Sequence, residues 1–261
     1  MKTAIKLILI YFLMQILGAL TAGPLAILYV YVTTGGLDVV LAQTLSLAPA
    51  LLLGMVYMTL FLWKAKYLDN DGHLYDPTSA SCLLWSLLAG VSAMFLTDVM
   101  VSYLTFLPDW MEQTFDVLQS GWLGILCVAV LGPVSEELLF RGAVTKVLLQ
   151  KYSPALAILL SGLLFGLFHI NPAQVVSASL IGFLLAWLYW RTRSVVPGIL
   201  IHILNNSVSV YLSLNYPEVE NFKDLMGTGV LVVGACVALV VFLLALWQVR
   251  KLNNNLITER Q

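Results

Sequence analysis

A few polar side chains stand in stretches that otherwise hold apolar residues: Asp98, the cluster Glu136, Glu137 and Arg141, then His169, His202 and the pair Asn205–Asn206. A charge at the centre of a membrane span costs about 2.5–3.5 kcal/mol or more, so each is a functional hypothesis by default. A carboxylate with a neighbouring imidazole can polarise and deprotonate a water. A second imidazole and an amide can donate hydrogen bonds to a developing oxyanion, each such donor being worth roughly 10²–10³ in rate. Together these groups contain the parts that hydrolysis of a peptide bond needs.

The carboxylates lie in GPVSEELLFRG, residues 132–142. Gly132–Pro133 predicts a break or kink, because proline lacks an N–H and clashes with the preceding turn. A helix restarting near Ser135 would hold both glutamates in its first turn, where the macrodipole favours negative charge. Glu137 and Arg141 are spaced i, i+4 with the acid first, the better orientation for a helical ion pair. Glu136 points about 100° away, free to face a cavity. A purely architectural ion network would use the same residues. His169 closes FGLFH, with Phe165 one turn earlier on the same face. His202 and Asn206 also lie one turn apart, and such a pair is wasteful in lipid unless it meets polar partners. Asp98 has no evident partner and reads as a water-filled or interhelical structural group. His73, in the polar stretch KAKYLDNDGHLYDPTS, reads as solvated.

Other protease chemistries lack their residues. HExxH, the zinc-helix motif, is absent because Ile follows His169 and His202 and Leu follows His73. There is no G-x-S-G site, and Asp98 is the only aspartate inside a span. Cys82, Cys127 and Cys236 sit in apolar stretches without a CxxC pair and read as small buried hydrophobes.

These side chains need an unusual solvent around their elements. Of 261 residues, 60% are apolar and 10% charged, with mean hydropathy +0.92. A soluble domain averages about 25% charged residues. The excess of apolar surface implies a bilayer. Uncharged runs predict eight helices, at 7–33, 39–63, 80–106, 121–149, 153–170, 174–190, 197–214 and 227–247. The expected fold class is therefore all-α, a polytopic bundle of about eight transmembrane helices in one integral membrane domain, 1–261. The first run is too long for a secretory h-region of about 7–15 residues and reads as a retained span.

With the N-terminus inside, Lys2, Lys6, Lys64, Lys66, Lys146, Lys151, Arg191, Arg193, Arg250, Lys251 and Arg260 face the cytoplasm. Only Lys223 faces out. That bias favours eight spans with both termini cytoplasmic. Trp63, Trp110, Trp122, Trp190 and Trp247 fall near the interfaces, as an aromatic belt does. Net charge is −1 and no basic run suggests nucleic acid.

Three motifs then carry a resemblance. Glu136-Glu137-Leu138-Leu139-Phe140-Arg141 reads E-E-x-x-x-R, Phe165 to His169 reads F-x-x-x-H, and His202 to Asn206 reads H-x-x-x-N. In this order on separate helices they resemble the CPBP family of CAAX prenyl proteases and bacteriocin-processing enzymes, over about 121–212. The resemblance implies a glutamate-dependent intramembrane endopeptidase acting on a membrane-associated or lipid-modified substrate, a prenylated protein or a peptide precursor. Glu136 and His169 would activate water, and His202 and Asn206 would form the oxyanion hole. Glu137, Arg141 and Phe165 would assist structurally. The family has also been described as metal-dependent, with Glu136, His169 and His202 a plausible zinc set. The metal-free reading is preferred because Asn206 suits an oxyanion donor better than a ligand. Expected partners are membrane lipid and a peptide or lipidated protein, and the expected location is a prokaryotic plasma membrane. The alternatives are a proton- or ion-coupled transporter and a catalytically silent immunity or scaffold protein.

Depth raises one conflict. Counted from the turn near Lys151, Glu136 and His169 reach similar depths. His202 lies only about five residues into its helix, and a straight sixth helix would leave it roughly 10 Å short.

Overall fold

The computed structural model describes residues 1–69, 74–75, 78–219 and 222–253. Among the described residues every regular element is helical. The chain runs through α1 (Lys2–Thr34), α2 (Val39–Lys64), α3 (Ala80–Val101) and α4 (Glu112–Gln119) into a composite fourth span, Trp122–Leu149. That span comprises α5 (Trp122–Leu126), a π turn (Cys127–Leu131), α6 (Gly132–Leu139), a second π turn (Phe140–Thr145) and α7 (Lys146–Leu149). There follow α8 (Pro154–Phe168), α9 (Pro172–Thr192), α10 (Val196–Asn215), α11 (Phe222–Leu225) and α12 (Thr228–Leu252).

Among the described residues seven segments are long and apolar enough to cross a bilayer. The eighth apolar helix, α8, has 15 residues. It spans about 22 Å of a hydrocarbon core of about 30 Å. The chain is an integral multi-pass membrane protein with the helical bundle its composition implies.

Local signals explain where the helices start and stop. The Asp38 carboxylate accepts the Leu41 N–H at 2.9 Å and caps α2. Ser79 accepts the Cys82 N–H at 3.2 Å and caps α3. Gly35, at φ 74°, ends α1 in the left-handed conformation that suits glycine. Proline occupies the first turn of α8, α9 and α10, where its missing N–H costs no helical bond.

Packing arranges α1 along α2, α8 along α9, and α12 along α3, while α10 meets the first π turn, α6, α3 and α9. Lipid tails are as apolar as leucine, so close packing rather than water exclusion holds such helices together. Gly162 and Gly182 show this: a Cβ built on Gly182 would lie 3.1 Å from the Gly162 Cα, so the two backbones nearly touch.

Three expectations change. The third span ends at Val101 rather than near 106, and the chain continues as a loop into the short helix α4. The fourth span does not break at Gly132–Pro133 or restart near Ser135. The π turn widens the helix just before the proline, and α6 begins at Gly132 without interruption. Glu136 and Glu137 are thus in its second turn. Cys82 and Cys127 are buried as expected, but Cys236 is exposed on the outside of α12. His73, Glu220 and Arg260 lie outside the described residues. Asp98 takes an interhelical place, its Oδ2 accepting the Phe222 N–H at 2.9 Å and tying α3 to α11.

Candidate active site

The π turn shapes the site first. Gly132 donates its N–H to the Cys127 carbonyl, five residues back. Pro133 has no N–H to give. The Val128 carbonyl is thereby left without its helical donor, and the Asn206 amide fills the place with an Nδ2–H bond at 3.0 Å. Asn205 donates in turn to Asn206 Oδ1 at 3.2 Å. Asn206 is held at both ends and keeps one N–H uncommitted, since a primary amide carries two.

The two glutamates have separate fates. Glu137 is fully buried, and its Oε1 accepts from Arg141 Nη1 at 2.8 Å and meets His202 Nδ1 at 3.1 Å. The Arg141 side chain is also fully buried. Its Nη2 donates to the Gly182 carbonyl at 3.1 Å, and its guanidinium lies over the Phe165 ring at 4.5 Å. The ion pair is therefore inter-helical in effect, joining α6 to α9, α10 and α8. The same Phe165 also fixes His169: its carbonyl accepts from the His169 ring at Nδ1, 2.8 Å away. A carbonyl only accepts, so Nδ1 carries the hydrogen, and in the neutral ring Nε2 is a bare lone pair.

Glu136 points where Glu137 does not. Its Oε2 lies 3.9 Å from His169 Nε2 and 3.8 Å from His202 Nε2. That oxygen is buried and receives no hydrogen bond from the described residues. The carboxylate and both histidines thus meet, although the straight-helix estimate placed His202 too shallow. The first turn of α10 docks directly on Glu137: a Cβ built on Gly198 would lie 2.6 Å from Glu137 Oε2. Only glycine admits this approach, which carries His202 to the carboxylates.

Two contributors were not legible from sequence. Gly198 looked like an ordinary glycine after Pro197. Tyr11 of α1 is buried, stacks edge-on against Phe168 at 4.7 Å, and lies within electrostatic reach of Glu136. Neither carries a motif, and both matter only through contacts with distant parts of the chain.

Zinc ligation was the alternative for Glu136, His169 and His202. A tetrahedral zinc with bonds of about 2.0–2.1 Å separates its ligand atoms by about 3.3 Å. The separations of 3.8 and 3.9 Å are wider. Among the described residues no group of three His, Cys, Asp or Glu is spaced to hold a metal. As placed, the three groups stand wider apart than a tetrahedral zinc holds its ligands, and no step is derived through a metal.

Comparison with known proteins bears on the same region. Residues 118–208 match the family model described as type II CAAX prenyl endopeptidase Rce1-like. A Bacillus subtilis (strain 168) protein named "Putative membrane peptidase YdiL" is 29% identical over 117 residues, 45% of this chain and 47% of that protein. The match thus spans about half the length of this relative. No solved structure matches the chain. The matched residues contain all three motifs, so within this polytopic membrane chain residues 118–208 are similar to the type II CAAX prenyl endopeptidases, in line with the resemblance that the motifs carry.

Proposed function

We propose that the protein is an intramembrane endopeptidase that hydrolyses a peptide bond of a membrane-associated or lipid-modified substrate with a water activated by Glu136 and His169. One observation carries this reading. The Glu136 carboxylate and the lone pair of His169 Nε2, two acceptors, face each other across 3.9 Å. They cannot bond to each other unless the ring is protonated, but one water can donate to both. Two hydrogen bonds of about 2.8 Å span that gap at close to a right angle, within reach of the two O–H bonds of water.

The reaction follows from those positions. Glu136 takes a proton from the water as its oxygen attacks the scissile carbonyl carbon, and His169 orients the water through its second hydrogen. The carbonyl π electrons move to oxygen. His202 Nε2 and the second N–H of Asn206 are the donors for that oxyanion. Collapse breaks the C–N bond, and Glu136 returns its proton to the leaving amine. Glu137 accepts from His202 Nδ1, so His202 donates through Nε2 when it is an imidazolium. That state leaves Glu136, Glu137, Arg141 and His202 with no net charge, which suits a membrane interior.

The lysine and arginine bias supports an orientation with both termini cytoplasmic, in a plasma membrane. The whole chain is read as one membrane domain around the core. Prenylated proteins and peptide precursors are the substrate classes that the family resemblance suggests. The test is comparative proteomics of the native host carrying wild type or Glu136→Gln. A membrane-associated precursor accumulates in the variant, and purified wild type cleaves it. Full turnover of that substrate by Glu136→Gln refutes the mechanism.

A further inference from the structure

The corner between α8 and α9 places His169 beside a strained backbone. Ile170, the next residue, has φ 58°. A β-branched side chain clashes there with its own backbone, and helices that end this way commonly use glycine. Ile170 is 59% exposed, so burial of its side chain does not hold it in place. Such a conformation persists only where surrounding contacts over-determine it.

Those contacts converge on Asn171, which is fully buried just before Pro172 opens α9. An asparagine at this position usually turns its side chain onto the first turn of its own helix. Asn171 makes no such bond. Instead its Oδ1 accepts the Trp110 N–H at 3.0 Å, and its Nδ2 donates to Asp109 Oδ1 at 2.9 Å. The Asp109 carboxylate is itself steadied by the Met111 N–H at 2.9 Å. Ala173 donates its N–H to the Pro108 carbonyl at 3.3 Å, a third tie to the same loop. The Asn171 backbone N–H reaches back to the His169 carbonyl at 2.6 Å. The loop after α3 is thus bonded to a residue that grips His169 itself.

We infer that Asn171 is a positioning residue: clamped by Asp109 and Trp110, it holds the α8–α9 corner in the strained form that aims His169 Nε2 at Glu136. The inference rests on the reading of His169 as the group that orients the water. It assigns a task to the loop 102–111, which lies wholly outside the family match. Release of the clamp lets Ile170 relax to negative φ and swings the imidazole off its Phe165 bond. A misplacement of about 1 Å at a reacting group costs up to ~10² in rate.

A polarity swap tests this. Asn171→Asp sets a carboxylate against Asp109 and breaks that bond by charge repulsion. Adding Asp109→Asn restores the pair with donor and acceptor exchanged. The substrate is a quenched peptide ending in a farnesylated cysteine tail, and the second readout is the ¹⁵N spectrum of histidine-labelled protein in detergent. Asn171→Asp lowers kcat by up to ~10²-fold with KM little changed, and converts the His169 signal from Nδ1–H to a tautomer mixture. The double variant recovers part of both, because the Asp109 Oδ1 that accepts from Asn171 also accepts the Met111 N–H, and an amide nitrogen in its place cannot. Ile170→Gly is an independent check, because glycine adopts φ 58° without strain. Added to Asn171→Asp it recovers part of kcat and of the tautomer signal, and it keeps the corner folded if the single variant does not. Unchanged kcat and tautomer in Asn171→Asp, or no recovery in either double variant, overturns the inference. If wild type does not cleave this peptide, the histidine spectra decide alone: a tautomer change in Asn171→Asp keeps the clamp while the prenylated-substrate reading falls.

Discussion

Glu136 and Glu137 are adjacent and chemically identical, yet one is committed and the other free. Glu137 already meets Arg141 and His202, whereas Glu136 Oε2 has no donor among the described residues and lies between two imidazoles. Substitutions at the two groups should therefore fail differently. Glu136→Gln removes the proposed base and little packing, so cleavage is expected to be lost while the melting temperature in detergent stays within a few degrees of wild type. Arg141→Ala breaks a fully buried ion pair and leaves the four-group set with an unbalanced negative charge, a loss of about 3–5 kcal/mol. That variant is expected to melt far lower, and the stability deficit should exceed that of any other site variant. Asn206→Ala tests the oxyanion hole. It removes one donor, for roughly 10²–10³ in kcat, and it also uncovers the Val128 carbonyl, for about 1–3 kcal/mol of stability.

The fourth span shows how an element makes a site. Its two π turns bracket α6 and change which side chains face inward, because each adds a residue to a helical turn. Pro133 is part of that device, since its missing N–H helps leave the Val128 carbonyl to Asn206. Pro133→Ala supplies an N–H that competes for this region of backbone. The expected outcome is equal or greater thermal stability with kcat reduced, a pairing that a merely destabilising change does not produce. Gly198 tests the partner element. Gly198→Ala forces a methyl against Glu137 Oε2, and overpacking of this kind costs about 1–3 kcal/mol. Both the unfolding temperature and the His202-dependent rate should fall together, as seen by thermal unfolding and turnover on the same preparation.

At the scale of the whole molecule, helices outside the matched core still border it. The α1–α2 pair lies against the fourth span, and Tyr11 of α1 packs on Phe168 next to His169. The proposed activation of water by Glu136 and His169 uses no exchangeable ion. Prolonged chelation should leave turnover unchanged, with zinc far below one equivalent in active protein by elemental analysis. Zinc at one equivalent that tracks activity would reverse the conclusion about the metal.

The sequence by itself determined a great deal. Composition dictated the bilayer, because so much apolar surface has no other solvent. Uncharged runs located the helices to within about five residues at every end. The spacing of Glu137 and Arg141 determined their pairing, because four residues make one helical turn. Periodicity along one helix is a local property, so it is written in the chain. Only the tertiary structure decided the rest. It kept the fourth span continuous through Pro133, because a π turn responds to backbone bonds rather than to side-chain pattern. It brought His202 to Glu136, because the approach depends on a single glycine face meeting a glutamate 61 residues away. It turned Asn171 from a helix cap into a clamp on a loop, because its competing partners come from another part of the chain. The four polar groups were visible as costs in lipid, and only the way their helices cross puts both His169 and His202 within 4 Å of Glu136.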